Sequence, residues 1–314
     1  MTEIKYINYD QKYLNSLLEL WNKELIYDPI DQERFLKLIV YDENFDSSLA
    51  KLAILDTKVV GFCYGVKRKV SYYTRGLEPN RGWITYLFVD EEYQRQGIGE
   101  ELYKIVENRL AELGTEEITL AAYSPNYLNP GIDVNYEKGI SFFVKMGYDL
   151  DIDAVSMQRT LLDFVMPEKT LKEIDKLKQE GIQIKNYQDS YFSDLMVFLE
   201  KEFGAGWKRN FILSLQNGDA QDTVVICTDS DDKIIGYCMR KIDGHDSRFG
   251  PIGVAESERS KGLGGVIFDY MMRDMKKRGI ASAYFLWTSG AAIKFYKRHG
   301  MEVYRKYKLG RKVV

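Results

Sequence analysis

Histidine, cysteine and proline are scarce in this chain of 314 residues, with two, three and six copies. Cys63, Cys227 and Cys238 are odd in number and widely spaced, which excludes a disulfide framework and predicts buried, reduced thiols. No metal site is expected. Long apolar runs are absent too: none approaches the roughly 20 residues that span a bilayer. Charge of one sign is also lacking, since the formal net charge is −3 with both signs mixed throughout. That argues against nucleic acid or an anionic membrane as the main partner. The opening MTEIKYINYDQKY lacks the charged-then-apolar layout of a secretory signal, so a cytoplasmic protein is expected. Tyrosine is abundant, at 23 residues, but scattered, which predicts strand and packing positions rather than one aromatic platform.

What is present is a repeat. Val89–Glu100 reads VDEEYQRQGIGE, and Val254–Gly265 reads VAESERSKGLGG. The offset of 165 (254 − 89) lays Gln94 on Arg259, Gly97 on Gly262 and Gly99 on Gly264. Each turn follows an apolar strand, Gly82–Val89 or Phe249–Val254. Each precedes an amphipathic helix, with Leu102, Val106 and Leu110 or Val266, Ile267 and Met271 at helical spacing. Before the turns, each half predicts a strand, two helices and a pair of strands; after them come helix, strand, helix and closing strand. The expectation is an α/β domain repeated in tandem: residues 1–160, a charged linker helix within 161–180, and residues 181–314. Each half has an antiparallel front and a parallel crossover at the turn.

The turn has a chemical logic. The first turn of a helix carries unpaired N–H groups and partial positive charge. Glycines let a ligand approach that backbone closely. Together they form a cradle for a pyrophosphate. A Walker loop needs GxxxxGK followed by Ser or Thr, which neither copy supplies. The dinucleotide fingerprint needs a third glycine where Leu102 and Ile267 stand.

Both turns match the Q/R-x-x-G-x-G/A signature of the GNAT N-acetyltransferase superfamily, as do the preceding YLFV and PIGV and the later FF-x-x-x-GY and FY-x-x-x-GM segments. The chain therefore resembles a tandem GNAT protein over nearly its whole length. The loop Ser124–Tyr136 resembles that of a bacterial subgroup with members acting on glucosamine-type amino sugars. The resemblance implies an acetyl-CoA-dependent N-acyltransferase with a small-molecule amine as acceptor. It implies that Gln94, Arg95, Gln96, Gly97, Ile98, Gly99 and Glu100 hold the pyrophosphate in one half. Arg259, Ser260, Lys261, Gly262, Leu263, Gly264 and Gly265 do so in the other. Leu87, Phe88 and Val89, and likewise Ile252, Gly253 and Val254, then line the pantetheine arm, with Val254 or Val89 offering an N–H to the thioester carbonyl.

Tyr296 stands where the family often has the acid that protonates the departing thiolate. Laying Gly147 on Gly300 gives an offset of 153 (300 − 147), which puts Phe143 on Tyr296. The second half is therefore the expected catalytic one. The base is open between His245 and a water relay. The 12 extra residues of the first half (165 − 153) fall in Ser124–Tyr136, where Asp133 is a candidate substrate contact. Glu24, Asp28 and Glu202 are candidates for holding a cationic amine, and Lys276–Arg278 suits the negative end of its helix. The alternatives are two active halves, or an acyl-CoA-binding sensor without turnover. The acceptor and the oligomeric state stay open.

Overall fold

A computed structural model describes residues 3–126, 128–259 and 261–314. In chain order the strands and helices are β1 (Lys5–Asn8), α1 (Leu14–Glu24), α2 (Gln32–Phe35), β2 (Ala50–Leu55), β3 (Lys58–Val66), β4 (Arg81–Val89), α3 (Ile98–Glu112), β5 (Glu117–Leu120), β6 (Ile132–Asp133), α4 (Glu137–Lys145) and β7 (Asp149–Thr160). There follow α5 (Glu168–Gln179), β8 (Gln183–Asn186), α6 (Phe192–Glu202), α7 (Ala205–Gln216), α8 (Ala220–Thr223), β9 (Val224–Thr228), β10 (Ile234–Arg240), β11 (Phe249–Val254), α9 (Leu263–Lys277), β12 (Ser282–Thr288), α10 (Ala291–Arg298) and β13 (Glu302–Val313). The repeat read from the sequence is visible: β1 to β5 with α1 to α3 reappear as β8 to β12 with α6, α7 and α9.

The chain packs as two compact units. Unit 1 comprises residues 1–154 and 306–314, and unit 2 residues 155–305. This division differs from a cut at 160 and 181. In unit 1, β1, β2, β3 and β4 pair antiparallel, and β4 pairs parallel with β5. The last strand of the chain then joins β5, with Arg311 opposite Thr119 and Val313 opposite Glu117. In unit 2, β8, β9, β10 and β11 form an antiparallel sheet. There the residues of β7 from Val155 onward pair with β12, Met157 opposite Phe285. The helix expected as a linker, α5, lies inside unit 2: Thr170 Oγ1 donates to Asp269 Oδ2 of α9 at 2.6 Å. The closing strand of the first half is the long β7, Asp149–Thr160.

Each unit is a sheet between two helical layers, for the same reason. Central strands with nearly continuous apolar sequence are buried on both faces. In unit 1, Ile98, Leu102, Val106 and Leu110 of α3 cover one face with Val60 and Ile84. Leu14, Leu17 and Trp21 of α1 and Phe35 of α2 cover the other with Leu52 and Phe62. In unit 2, Val266, Ile267, Met271 and Met275 of α9 pack with Val225, Cys227 and Cys238. Leu195, Leu199 and Phe211 pack with Val224, Ile226 and Tyr237 on the opposite side. All three cysteines are free and buried, and burial pushes the Cys227 thiol up to about 12.

Candidate active site

The two glycine turns have the same backbone. Gly97 and Gly262 each cap the following helix with φ of +86° and +85°. That left-handed conformation favours glycine over a residue with Cβ. A Cβ at Gly264 would meet nothing within 4 Å, so packing within the described protein does not require glycine there. Space kept open at a helix start is what an incoming pyrophosphate needs. Arg95 also has positive φ, at 63°. Ser260 lies outside the described residues. The N–H groups of Ile98, Gly99 and Glu100, and of Leu263 and Gly264, fall in the first helical turns, where the intrahelical ladder offers no acceptor, whereas the Gly265 N–H donates to the Gly262 carbonyl at 3.0 Å. The Lys261 ammonium pairs with Glu258 at 3.0 Å, and Arg259 reaches Glu256 only at 3.9 Å. Gln96 Nε2 donates to the Glu92 carbonyl at 3.4 Å.

The strands before the turns present an open edge. In unit 1, β4 pairs with β5 from Arg81–Glu117 to Ile84–Leu120, and then the two part. Ala121 and Ala122, both at φ 49°, carry β5 away. In unit 2 the partner strands touch at one parallel bridge, Arg248 to Tyr284, and all of β11 lies beyond it. This bridge is the repeat of the Trp83–Thr119 pair at the same offset of 165 (248 − 83).

Alternation fixes which groups face the opening. Ala255 N–H donates to Ile235 and Asp90 N–H to Val60, each toward the paired neighbour. The residue before each, Val254 and Val89, therefore turns its N–H and C=O to the open side, as do Ile252 and Leu87. Gly253 and Phe88 face the neighbour instead. Consistent with this, Gln94 Nε2 caps the outward carbonyl of Val89 at 2.9 Å.

A second pair of equivalent residues holds each turn. Glu24, at the end of α1, accepts the N–H of Glu91 at 3.0 Å. Glu202, at the end of α6, accepts the N–H of Glu256 at 2.9 Å. Burial raises the Glu24 carboxyl above its ordinary range, against the lowering effects of that N–H and of Lys23. Both glutamates act as clamps on the strand-to-turn junction, not as free amine ligands. In unit 1 the junction is braced further by Asp90, which is fully buried and pairs with Lys23 at 2.7 Å and Lys58 at 2.9 Å.

Tyr296 sits at the splay of unit 2. Its ring lies 4.5 Å from Phe285 of β12, 6.4 Å from Phe249 of β11 and 6.1 Å from Phe268 of α9. No described residue hydrogen-bonds its hydroxyl. Burial raises its pKa above the ordinary phenol value, the nearby Cys238 adds to this, and Arg248 opposes it. The group is thus a neutral proton carrier at pH 7. Phe143 has the matching position in unit 1, 6.2 Å from Tyr103, which is the repeat of Phe268. It is buried and has no proton to give.

Other expectations find different surroundings. His245 is exposed, in the turn that enters β11 before the Arg248 bridge. It is at the closed end of the splay, about 20 Å of strand from Val254. Asp133 is buried, and its Oδ1 accepts from the Asn135 backbone and side chain at 2.9 and 2.8 Å. Its carboxylate closes the loop. Asp28 accepts from Asn129 at 2.8 Å and from Tyr136 at 3.0 Å, tying the same loop to the end of α1. Lys276 donates to the Leu162 and Phe164 carbonyls, and Arg278 pairs with Asp274. Both are structural contacts.

Unit 1 has a small cleft, with room for about one water, where β4 and β5 part. Tyr64, Thr85, Tyr86 and the Ser124–Tyr136 loop residues Asn126, Leu128 and Asn129 line it, with Ile39. The loop was legible as an insertion; its role as a cleft wall was not.

Comparison with known proteins agrees with this geometry. The chain superposes on the GCN5-related glucosamine N-acetyltransferase region of a fungal multi-domain GH3 beta-N-acetylglucosaminidase with a TM-score of 0.81 at 22% identity, covering 99% of this chain and 38% of that one. A GCN5-related N-acetyltransferase from Sphaerobacter thermophilus gives 0.74 at 16% identity, covering 99% and 95%. A tandem GNAT protein from the clavulanic acid biosynthesis pathway gives 0.63 at 13% identity, covering 99% and 98%. These likenesses are of fold. No curated protein matches the sequence. The model of the acetyltransferase (GNAT) family matches twice, over residues 14–129 and 187–301. With two such matches and a glycine cradle beside a splayed strand in each unit, the chain belongs to the acetyltransferase (GNAT) family, as a tandem of two GNAT domains.

Proposed function

We propose that the protein transfers an acetyl group from acetyl-CoA to a primary amine of a small molecule, with the second unit performing the transfer. The observation that carries this reading is Tyr296: a half-buried phenol without a hydrogen-bond partner among the described residues, between the splayed strands of a unit with an open glycine turn. Acetyl-CoA supplies the activated acetyl group. The first-turn N–H groups of Leu263 and Gly264 hold its pyrophosphate, with Gly265 keeping the approach free of a side chain. The outward N–H of Val254 binds the acyl oxygen. Tyr296 Oη carries the proton that the leaving sulfur requires. The acceptor amine needs to lose a proton, since a lysine-like amine of pKa about 10.4 is mostly charged at pH 7. With His245 beyond the closed end of the splay, a water relay takes that role. An amino sugar is the proposed acceptor, supported by the Ser124–Tyr136 loop and by the likeness in fold to a fungal glucosamine N-acetyltransferase region.

The test is release of CoA thiol over a panel of amino sugars, polyamines, aminoglycosides and peptides. Turnover is expected in the wild type. Tyr296→Phe should lower kcat about 10²- to 10⁴-fold and leave acetyl-CoA affinity nearly unchanged. An unaltered kcat removes Tyr296 from the chemistry. No turnover on any amine favours a sensor.

A further inference from the structure

Tyr296 is carried by a helix with few attachments. α10 has eight residues, none of them fully buried, and no side chain caps its first turn. A helix that short is marginal by itself and needs tertiary contacts to hold its place. Its carboxy-terminal end is held at one residue, His299, in two ways. The His299 carbonyl accepts from Arg159 Nη1 at 2.6 Å. The His299 Nδ1 stands 3.1 Å from Asp269 Oδ1 of α9. Asp269 is 2% exposed, and its other oxygen accepts from Thr170 Oγ1 at 2.6 Å. Both oxygens of that buried carboxylate are thus committed, and Nδ1 donates because a carboxylate offers no proton. The opposite edge of the ring, Cε1 and Nε2, lies 2.8 Å from where a Cβ would stand on Gly265. The ring fits because residue 265 is glycine. His299 follows Tyr296 by three residues, so the two share a side of the helix end. Both rings rest on Phe268, at 5.2 Å for His299 and 6.1 Å for Tyr296.

Unit 1 lacks this arrangement where it lacks the phenol. The same offsets put Lys104 on Asp269 (269 − 165), Glu100 on Gly265 (265 − 165) and Met146 on His299 (299 − 153). There α4 meets α3 through the buried ring of Phe143 and through a surface pair, Lys145 with Glu100 at 3.0 Å, of a kind that contributes little.

We propose that the Thr170–Asp269–His299 chain positions Tyr296, clamping α10 to α9 so that the phenol is presented at the splay. His299 and Asp269 are positioning residues and carry no proton in the transfer. The proposal rests on the transfer reading of unit 2, because it serves the step assigned there to Tyr296.

The experiment combines two measurements on the full chain. One is CoA-thiol release with glucosamine or, failing that, the panel amine that turns over fastest; the other is amide exchange over residues 291–298. His299→Leu should lower kcat by roughly 10- to 100-fold, leave the KM for acetyl-CoA within about twofold, and speed exchange across α10. His299→Asn keeps an N–H near the place of Nδ1 and should recover most of both, which separates the clamp from a general loss of folding. In a Tyr296→Phe background, His299→Leu should add almost nothing to the loss of kcat. Full additivity there overturns the proposal, as does unchanged kcat or unchanged exchange in His299→Leu. A deficit in Tyr296→Phe with none in His299→Leu leaves the transfer reading intact and sinks this one. If wild type turns over no amine, the transfer reading fails; faster exchange in His299→Leu with recovery in His299→Asn then upholds the clamp, and unchanged exchange overturns it.

Discussion

At Gly264 the packing of the turn and the proposed pyrophosphate contact can be measured apart. It is the second residue of α9, its φ is not in the left-handed region, and a Cβ there meets nothing within 4 Å. Replacing it with alanine therefore introduces no clash. Alanine in a helix is favoured over glycine by about 0.5–1 kcal/mol, which for a unit of this size raises Tm by about 1–4 °C. The effect on the cofactor has the opposite sign. If the cradle admits a pyrophosphate against its backbone, the methyl occupies the approach. Losing one hydrogen bond to a charged oxygen costs about 1.5–3 kcal/mol, or about 10- to 150-fold in Kd. Thermal unfolding and titration with acetyl-CoA measure the two quantities separately. Gly262→Ala is the contrasting control: at φ +85° it should lower stability by about 1–2 kcal/mol. Gly99→Ala tests the other cradle, where the Cβ would rest 3.5 Å from Val89 Cγ2, an ordinary contact. A Gly264→Ala protein that binds acetyl-CoA as tightly as wild type, with Gly99→Ala equally silent, refutes the reading of these turns as pyrophosphate cradles.

Three further outcomes are expected. Burial holds the Tyr296 phenol protonated beyond its ordinary pKa of about 10, so the kcat ratio of wild type to Tyr296→Phe should be constant from pH 6 to about 10; a ratio that collapses near neutrality would mean that the acid titrates there. The Asp90 carboxyl is raised by burial but lowered more by Lys23, Lys58 and the Glu92 N–H, for a net depression. Its stabilisation is present above the ordinary aspartate value of about 3.9 and is lost as pH falls through the lower folded value. Asp90→Asn should thus cost about 1–3 kcal/mol at pH 7 and progressively less as pH falls below the ordinary aspartate value; denaturant melts at pH 7 and in acid check this. Ending the chain at Arg305 removes the strand that pairs with Ile118 and Thr119. Amide exchange at residues 117–120 should lose its protection, and retention of full protection would contradict the observed pairing.

Much of this architecture was legible because it is local. The strand, the left-handed glycine and the helix start are consecutive, and their repetition at one offset is a strong sequence signal. Phe143 against Tyr296 followed from the same arithmetic, and both rings occupy the matching place. What failed to show was long-range. Glu24 and Glu202 are charged helix ends that read as solvent-facing or amine-binding groups, yet their partners are backbone amides 67 and 54 residues away. Nothing in a carboxylate's own neighbourhood announces a distant N–H. Asp133 misled for the related reason that a loop aspartate serves its own turn as readily as a ligand. His245 has useful chemistry, but only the register of β11 shows that it stands at the wrong end of the strand. Strand patterns predict that a segment pairs, not which sheet edge receives it, so the partners of β7 and β13 were unreadable.

The pairing of β13 with β5 also sets an order on biosynthesis. A ribosome delivers residues 1–154 long before it delivers residues 306–313. Throughout that interval the first domain exists with the partner edge of β5 bare, and an unpaired edge invites association with other chains. The domain made first is therefore the domain finished last, and selection on this protein acts on how safely its amino-terminal half waits.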